Sequence, residues 1–492
     1  MKRTLWLMLV VAFAGGCAQT PPEMQVINDA VEALGGRAPI EAANTLVLEA
    51  TAGTNRNLGQ NRTPDADLPV FNVTQFKRSV DFANQRARQV QTRVAVVPAG
   101  VPPAAPQNQN FGVDGDVAYN VGMDGKPVRQ GARIAIDRRT EYILHHPIGI
   151  VRAALDPAAK LANARIAGTM SVVDITTSTG ETLTMAIDST THLPASVTSM
   201  TYNTNLGDVA FETTFADYQD VSGLKLPAHI ASKIDKYPNT DLTIAKSTVN
   251  AEVTDVAASD AVKAEPAPVV TANVTVEEVG KGVWFLAGQS HNSLLVEFSD
   301  HLELVEVPQN EVRSLAVIAK ARELKPGKPL TKAVVTHHHF DHSGGIRAAI
   351  AEGLTLVTHE INKPYFEEAA QRTHSIVPDA LAKNPKPAMI ETVSDSAVVK
   401  DNTQAMELYK VTDPTQHSDS MLMIYFPNDR ILVQADFYNT AGMAFPRAVA
   451  LNDNIVKRNL RVAKHVPIHG AVKTQAEFAK VVQANKPAAS TN

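Results

Sequence analysis

The hydrophobic and polar residues follow one pattern in the first half of the chain and another in the second. Between residues 24 and 255, apolar residues often alternate with polar ones in short runs, separated by Gly, Asn, Asp or Ser. A period of two is typical of strands with one buried face, joined by turns. The runs fall at residues 46–50, 71–82, 87–97, 171–177, 182–187, 195–202, 209–218 and 228–234. This pattern predicts a long antiparallel meander with one or two helices, at 26–34 and 148–155.

Further along, the apolar runs are shorter and more continuous. They lie at residues 283–286, 293–298, 301–306, 332–335, 421–426, 431–435 and 466–468. Continuous apolar runs of this length are typical of buried strands, and the patterns at 312–324 and 346–354 predict helices between them. The two halves together predict an α+β protein, with a β-rich domain at 24–255 and a second domain at 273–485.

Two stretches have the composition of connecting segments. Residues 98–110 are rich in Pro, Gln and Asn, which predicts a mobile loop inside the first domain. Residues 256–272 contain mostly Ala, Val, Lys, Glu and Pro, which predicts a linker. A chain of 492 residues has room for two or three domains. Its net charge of −5, without a basic block, argues against a nucleic-acid partner.

The N-terminus has the pattern of an export signal. Two basic residues precede an apolar stretch at 5–14, which is too short to span a membrane. The sole cysteine, Cys17, follows in an arrangement that resembles a bacterial lipobox, although Ala14 stands where Leu is usual. This predicts a signal at 1–17 and a lipoprotein held at the periplasmic face of a membrane by its lipid anchor alone. Cleavage after Ala14 would instead release a soluble periplasmic or secreted protein. No disulfide can form within the chain.

Candidate chemistry is concentrated in the segment Thr336-His337-His338-His339-Phe340-Asp341-His342-Ser343-Gly344-Gly345. The segment follows the predicted strand at 332–335 directly, so it lies at the carboxyl end of that strand. Its glycine pair predicts a turn that opens the helix at 346–354. Side chains at such a position are free to converge on a ligand.

The spacing of the three histidines and the aspartate suits metal binding. In an extended backbone, residues two apart point the same way, so His337 and His339 can bind one ion while His338 faces elsewhere. Asp341 and His342 come after the chain has bent, and they suit a second ion close by. Imidazole and carboxylate ligands without thiolate fit zinc, iron or manganese.

The spacing His-x-His-x-Asp-His resembles the signature of the metallo-β-lactamase superfamily. Its members supply a third histidine to the first metal, an aspartate that bridges the two metals, and a final histidine to the second metal. The resemblance assigns these roles, in chain order, to His417, Asp436 and His469, each at or beside the end of a predicted strand. It also implies an αββα sandwich, two sheets covered by helices, for residues 273–485.

A second resemblance concerns the first domain. The segment Ala216-Asp217-Tyr218-Gln219-Asp220-Val221-Ser222-Gly223-Leu224-Lys225-Leu226-Pro227 is similar to the periplasmic lipoprotein-sorting proteins, half-barrels whose concave face takes up acyl chains. This implies a half-barrel-like domain with a lipid or acyl chain as a candidate partner. A sheet domain with a purely structural role fits the same residues. The pair His145-His146 also lies here, and because adjacent side chains diverge we predict a structural role for it.

The implied ligand set predicts a binuclear metal-dependent hydrolase. Two divalent ions about 3.5–4 Å apart share a water and lower its pKa towards about 7, so a bridging hydroxide becomes the nucleophile. The expected substrate is a small molecule with an ester, thioester, lactone or related bond, cleaved outside the cytoplasm. Two zinc ions are the expected cofactors, with iron or manganese as alternatives.

Three residues near the ligands have candidate supporting roles. Asp341 can bind a metal through one oxygen and accept the proton of the water through the other, as a general base. Tyr438 is placed to donate a hydrogen bond to a developing oxyanion, or else packs in the core. At the end of the third strand, members of the superfamily often carry an aspartate that supports the loop of metal ligands. Glu306 stands in its place here.

The ligand residues also exclude some classes of the superfamily as models for this protein. Asp436 occupies the position where the cysteine-dependent zinc β-lactamases have a thiolate ligand, and no cysteine follows Cys17. The all-histidine β-lactamases lack the bridging carboxylate, and His339 stands where the flavodiiron proteins have glutamate. What remains resembles the glyoxalase II, lactonase and phosphodiesterase types. The alternatives are a β-lactam hydrolase of the same fold, or a lipid-binding or scaffolding lipoprotein with a vestigial metal site.

Overall fold

The computed structural model describes residues 20–97, 105–440 and 446–485. The predicted signal at 1–17 and the centre of the predicted loop, 98–104, lie outside the described residues. Within the described ranges, no helix combines the length and the apolar character that crossing a membrane would require.

The first half of the chain forms one antiparallel sheet of thirteen strands. The strands are β1 Thr45–Arg56, β2 Val70–Asp81, β3 Arg86–Ala95, β4 Gln107–Asp114, β5 Val117–Val121, β6 Pro127–Arg129, β7 Lys160–Ala167, β8 Met170–Thr176, β9 Thr182–Asp188, β10 Pro194–Asn203, β11 Gly207–Val221, β12 Leu224–Ile234 and β13 Tyr237–Val249. Their order is β6-β5-β4-β3-β2-β1-β13-β12-β11-β10-β9-β8-β7. Two meanders therefore meet where β1 pairs with β13, and the predicted antiparallel meander is confirmed.

Helices cover one face of this sheet. They are α1 Pro22–Ala33, α2 Arg37–Ala42, α3 Ala132–Arg139 and α4 Pro147–Leu155, with a π-helical turn at Thr140–Leu144 after α3. Ile27 of α1 and Ile148 of α4 are fully buried in one cluster with strand residues such as Val173 and Met185. Removing this apolar surface from water stabilises the domain, because each fully buried large side chain contributes roughly 1.5–3 kcal/mol.

Two predicted connecting segments are more ordered than their composition indicates. The end of the predicted loop belongs to β4, where the amide of Gln91 donates to Gln109 across the ladder with β3. The predicted linker contains a short helix, α5 Asp260–Ala264, and Val262 is buried beside Tyr119 of β5. Cross-strand amide pairs and a few buried apolar residues order these parts of the two segments.

The second half of the chain forms two sheets. One has seven strands in chain order: β14 Thr275–Gly280, β15 Val283–Ala287, β16 Ser293–Glu297, β17 Leu302–Val305, β18 Leu330–Val334, β19 Thr355–His359 and β20 Ile390–Val393. The other has six in chain order: β21 Ser396–Lys400, β22 Ala405–Lys410, β23 Leu422–Phe426, β24 Ile431–Gln434, β25 Lys464–Pro467 and β26 Lys473–Thr474. The helices are α6 Glu311–Leu324, α7 Phe340–Ser343, α8 Ile346–Ala351, α9 Lys363–Gln371, α10 Ala380–Lys383, α11 Pro446–Lys457 and α12 Gln475–Asn485, and a 3-10 turn spans Glu360–Asn362.

These elements form a sandwich of two sheets between helices. Alternate residues of β16 point to opposite faces: Val296 joins a core shared with β23 and β24, whereas Leu295 joins a core shared with α6, α8 and α9. Phe478 of α12 packs on the far side of the second sheet. The α+β fold class and the sandwich predicted for the C-terminal domain are both confirmed.

The two halves share buried surface. Leu206 and Val209, from the start of β11, belong to the same apolar cluster as Trp284 of β15 and Phe366 of α9. A cavity of about 890 Å³ also lies against the N-terminal sheet, and its lining includes both charged side chains, such as Arg93 and Arg139, and apolar ones, such as Phe111 and Phe211. Binding of an acyl chain by this domain stays a prediction.

Candidate metal centre

The sequence-predicted ligands lie at the carboxyl ends of strands from both sheets. β17 and β18 are parallel neighbours in the first sheet, and β24 and β25 are parallel neighbours in the second. The carboxyl ends of parallel strands open at one edge of a sheet, where ligands bind. Glu306 follows β17, the histidine-rich loop follows β18, Asp436 follows β24, and His469 follows β25. The sandwich brings these four ends together.

A sharp turn at Gly344-Gly345 brings the loop close to its neighbours. A Cβ on Gly344 would lie 2.1 Å from the carbonyl oxygen of Gln309, and one on Gly345 would lie 1.8 Å from Ser314 Oγ. No side chain fits at these separations. The glycine pair therefore permits α8 to begin directly beside the start of α6, and this fixes where the loop ends.

His337, His339, His417 and Asp436 form the first ligand cluster, in which one donor atom from each lies within 4.8 Å of all the others. Asp436 Oδ2 is 3.1 Å from Nε2 of His337 and 3.0 Å from Nε2 of His417. The ring of His339 lies edge-on to His337, with centroids 4.4 Å apart. Three imidazoles and one carboxylate are a donor set suited to a divalent transition metal.

His291, Asp341, His342 and His469 form the second cluster, with the same 4.8 Å limit between their donor atoms. His342 Nε2 is 3.3 Å from His469 Nε2. His291 Nε2 is 3.2 Å from Asp341 Oδ2. The structure therefore brings together all seven predicted ligands and adds an eighth residue, His291.

Asp436, a member of the first cluster, also contacts the second. Besides its contacts in the first cluster, its Oδ1 is 2.8 Å from His469 Nε2 and its Oδ2 is 3.2 Å from His342 Nε2. Its backbone has a φ of +46°, a left-handed conformation that is uncommon for residues with a side chain but tolerated by aspartate. Gln434 stabilises this turn, because its Oε1 accepts hydrogen bonds from the backbone N–H groups of Phe437 and Tyr438, each at 3.0 Å.

The hydrogen bonding of two histidines provides a test of whether these residues fit a metal. Among the described residues, His337 Nε2 and His339 Nδ1 make no well-aligned hydrogen bond, although both side chains are fully buried and Asp436 Oδ2 lies 3.1 Å from His337 Nε2. Their other ring nitrogens do: His337 Nδ1 contacts Thr336 Oγ1 at 3.0 Å, and His339 Nε2 contacts the carbonyl oxygen of Asn61 at 3.0 Å. Buried polar atoms are normally paired, and a metal-binding histidine usually donates its second N–H to an oxygen. The residues therefore fit a divalent ion.

Burial and neighbouring groups together set the protonation states of His337, His339, Asp341 and Asp436. Burial lowers the pKa of His337 to about 3 and that of His339 well below its usual value, so both rings are neutral at neutral pH, as metal binding requires. Burial alone would raise the pKa of Asp341 and Asp436. However, the hydrogen bond from His291 lowers the pKa of Asp341, and the charge of His342 lowers that of Asp436 well below its usual range.

His342 differs from the other ligands. Burial favours its neutral form, but the carboxylates of Asp436 and Glu306 together raise its pKa well above the usual value. These two buried carboxylates attract positive charge to the second cluster. A divalent cation bound there would supply that charge.

Glu306 supports the loop of metal ligands through two hydrogen bonds. Its Oε2 accepts a hydrogen bond from His342 Nδ1 at 2.8 Å, and its Oε1 accepts one from the backbone N–H of Thr336 at 2.7 Å. The glutamate is fully buried, and its backbone has a φ of +71°. The substitution of glutamate for aspartate therefore leaves this supporting contact in place.

His291 was missed by sequence reasoning. It lies between β15 and β16, and Arg313, which is fully buried, donates to its carbonyl oxygen at 3.1 Å. The next residue, Asn292, donates from Nδ2 to the carbonyl oxygen of Gly470 at 2.8 Å, which joins this loop to the loop of His469. The available signal was only its position between two apolar strands, whereas His469 was located by the order of ligands that the resemblance implies.

Three other residues singled out in the sequence are not members of either ligand cluster. Tyr438 is 6% exposed and packs on Phe478 with ring centroids 5.0 Å apart, so the packing alternative holds and the structure does not support a role at the oxyanion. Both ring nitrogens of His338 contact other groups, Ser420 Oγ and the Asn61 carbonyl oxygen. His145 is buried with its nitrogens on hydroxyl groups of the sheet, in keeping with a structural role.

Comparisons with known proteins concern the same part of the chain. Residues 309–465 match the family model of the metallo-beta-lactamase superfamily. Similar solved structures include a metallo-beta-lactamase from Pontibacter korlensis, with 17% identity, a TM-score of 0.34, and coverage of 43% of this chain and 98% of that one. A metallo-beta-lactamase from Hirschia baltica has 16% identity and a TM-score of 0.33, with coverage of 44% and 99%. A metallo-beta-lactamase from Pseudomonas aeruginosa, in its mono-zinc form, has 18% identity and a TM-score of 0.34, with coverage of 44% and 98%.

Proposed function

We propose that this protein, whose C-terminal domain has the metallo-beta-lactamase fold, is a hydrolase that uses two divalent metal ions. The observation that carries the proposal is the position of Asp436, whose two carboxylate oxygens contact histidines of both ligand clusters. A carboxylate between two dications reduces their repulsion and fixes their separation. Two such ions, when bound, acidify a shared water and polarise the bond under attack.

The exposure of the ligands indicates from which side substrate enters the site. Asp341 has a side chain 39% exposed, whereas Asp436 and His417 are only 13% and 12% exposed. Substrate therefore reaches the centre from the Asp341 side. Asp341 is the proposed general base, and for this role one of its oxygens, which contact Gln60 and His291, exchanges that partner for the attacking water. The buried histidines keep the opposite side of the site closed to water.

The substrate class follows from the chemistry of the site and stays a proposal. We infer a small molecule with an ester, thioester, lactone or related bond, because such bonds need only an activated water and polarisation of a carbonyl oxygen. Zinc is the proposed metal, with iron or manganese as alternatives for the same donors. The signal pattern at residues 1–17 supports action outside the cytoplasm, as a periplasmic lipoprotein or a soluble exported enzyme.

The proposal is tested by metal analysis of the purified protein, followed by hydrolysis assays on ester, thioester, lactone, β-lactam and phosphodiester panels. We expect divalent metal in the wild type, hydrolysis of at least one panel, and loss of that hydrolysis on chelation with recovery on adding zinc. His337→Ala should abolish turnover. The matched control is His229→Ala, because His229 lies on β12 with its side chain 36% exposed and paired with Asp241. A metal-free wild type, or turnover that survives chelation, would refute the proposal.

A further inference from the structure

We propose that the N-terminal domain positions the metal ligands. It holds the metal loop, residues 337–343, in the geometry that binds metal. The contacts come from residues 59–62, between β1 and β2, and from Asn205, between β10 and β11. The inference rests on the proposed function, since it assigns these residues as positioning residues for the same metal ligands. No part of the superfamily signature contains them.

The central contact is made by the carbonyl oxygen of Asn61. It accepts hydrogen bonds from Nε2 of His338 at 2.8 Å and from Nε2 of His339 at 3.0 Å. A neutral imidazole has one N–H donor and one acceptor nitrogen. When His339 donates from Nε2, its Nδ1 carries the lone pair, and Nδ1 is the unpartnered buried atom of the first cluster. Asn61 thus selects the tautomer of His339 that can bind a metal.

The position of this carbonyl is fixed from both domains. The side chain of Asn61 is 4% exposed and donates to the carbonyl oxygens of Thr63 and Pro64 at 2.6 and 2.9 Å, which defines the shape of the segment. The side chain of the next residue, Arg62, pairs with the carboxylate of Asp419 at 2.6 Å. The carbonyl oxygen of Arg62 accepts a hydrogen bond from the backbone N–H of Asp419 at 3.0 Å. Asp419 lies just before β23, in the loop that carries His417.

Gly59 and Gln60 contact the metal loop itself. The carbonyl oxygen of Gly59 accepts a hydrogen bond from the backbone N–H of Phe340 at 3.1 Å. Gly59 has a φ of +73°, and a Cβ there would lie 2.1 Å from the ring of Phe340. The side chain of Gln60 donates from Nε2 to Asp341 Oδ1 at 2.8 Å, and the other oxygen of Asp341 faces His291. A residue larger than glycine at position 59 would push the segment away from the loop.

Asn205 holds the loop at a second point. It is 6% exposed, and its Nδ2 donates to the carbonyl oxygen of Phe340 at 3.2 Å and to Ser343 Oγ at 3.0 Å. Ser343 Oγ in turn donates to the carbonyl oxygen of His338 at 2.9 Å. The loop is therefore held by two separate turns of the N-terminal sheet, each through nearly buried hydrogen bonds.

The test uses full-length variants. Gly59→Ala places a methyl group against Phe340, and Asn205→Ala removes the second contact without adding atoms. The control for the first is Gly125→Ala, because Gly125 has a φ of +76° and an added Cβ would meet nothing within 4 Å, so only the backbone strain is matched. The control for the second is Asn239→Ala, because Asn239 donates from Nδ2 to Ser232 Oγ at 3.1 Å within the N-terminal sheet. Two quantities are measured: zinc dissociation constants by competition with a chromophoric chelator, and histidine tautomers by ¹⁵N NMR of the metal-free protein.

We expect Gly59→Ala and Asn205→Ala to weaken zinc binding about 10–100-fold, the usual effect of removing partners that orient metal ligands. Both controls should match the wild type. In the metal-free wild type His339 should carry its proton on Nε2, and in Gly59→Ala it should be a mixture of tautomers. If Gly59→Ala does not fold, the zinc affinity of Asn205→Ala decides whether the N-terminal domain positions the metal ligands. Wild-type zinc affinity and an unchanged His339 tautomer in these variants would overturn the inference. A wild type that binds none of zinc, iron and manganese would refute the proposed function, and the tautomer of His339 would still decide the inference.

Discussion

Nδ1 of His342 donates a hydrogen bond to Oε2 of Glu306 at 2.8 Å, and neither side chain has any exposed surface. The bond fixes which nitrogen of His342 faces the second cluster. We expect Glu306→Gln, which removes the charge but keeps the size, to weaken the second zinc site about 10–100-fold and the first site less. Titration of the metal-free protein with zinc measures both. Glu303→Gln is the control, because Glu303 is equally buried on β17 but pairs with His301. Equal losses in the two variants would contradict the role of Glu306.

The contact of His291 with Asp341 predicts that His291 contributes to the second site. We expect His291→Ala to weaken the second ion and to change the visible absorption of the cobalt-substituted protein, since that spectrum reports the ligands around the ion. His301→Ala should leave the spectrum unchanged, because His301 pairs with Asp300 on the surface, away from both clusters. An unaltered cobalt spectrum in His291→Ala would show that His291 only packs beside the ligands.

Two buried histidines predict the acid sensitivity of the N-terminal domain. Burial, reinforced by the charge of Arg78, lowers the pKa of His145 and His146 from 6.5 to about 3. In the unfolded chain both rings take up a proton below about 6.5, but in the folded protein they do so only near 3. Their contribution to stability is therefore complete above about pH 6.5 and falls as the pH decreases towards 3, by up to about 1.4 kcal/mol per pH unit for each histidine.

The variant His145→Gln tests this dependence. Glutamine does not titrate and can still contact Ser199 and Thr213, the hydroxyl partners of His145. We expect urea unfolding of the variant, followed from pH 7 to pH 4, to show a smaller loss of stability than the wild type. His192→Gln is the control, because His192 is 45% exposed. An equal loss of stability in wild type and His145→Gln would contradict the assignment.

The location of the protein is predicted from Cys17. If the lipobox is used, labelled fatty acid should be incorporated into the wild type, which should fractionate with membranes, and Cys17→Ser should be unlabelled and soluble. Several acyl chains together anchor a protein stably, whereas one chain binds only weakly. A soluble, unlabelled wild type would favour cleavage after Ala14 instead.

The ligand set could be predicted from sequence because the spacing at His337 to His342 resembles a known signature, and this resemblance assigned roles to His417, Asp436 and His469, each beside a strand with a clear apolar pattern. His337 and His339 are also close together in the chain, and their spacing alone places both on one side of the backbone. His291 was missed because its partner Asp341 is 50 residues away, and a lone histidine after a strand has no spacing to identify it.

The contacts of the N-terminal domain with the metal loop could not be predicted from local sequence patterns either, because they too join residues far apart in the chain. Gln60 and Asp341 are 281 residues apart, and their contact depends on how two independently patterned domains dock. Asn61 acts through its backbone carbonyl, and any residue type supplies that group. For Tyr438 the sequence left two alternatives open, a hydrogen bond to an oxyanion or packing in the core, and the ring packs beside Phe478.

The central claim is that Asp436 joins two metal ions in one centre. Its most direct test is a crystal structure of the zinc-loaded wild type with anomalous scattering, compared with Asp436→Ala for bound zinc and turnover. We predict two zinc peaks about 3.5–4 Å apart, both beside the Asp436 carboxylate. Asp436→Ala should remain folded, bind its second ion weakly and lose most of its turnover. A single zinc peak in the wild type, or two bound ions with near-normal turnover in Asp436→Ala, would contradict the account.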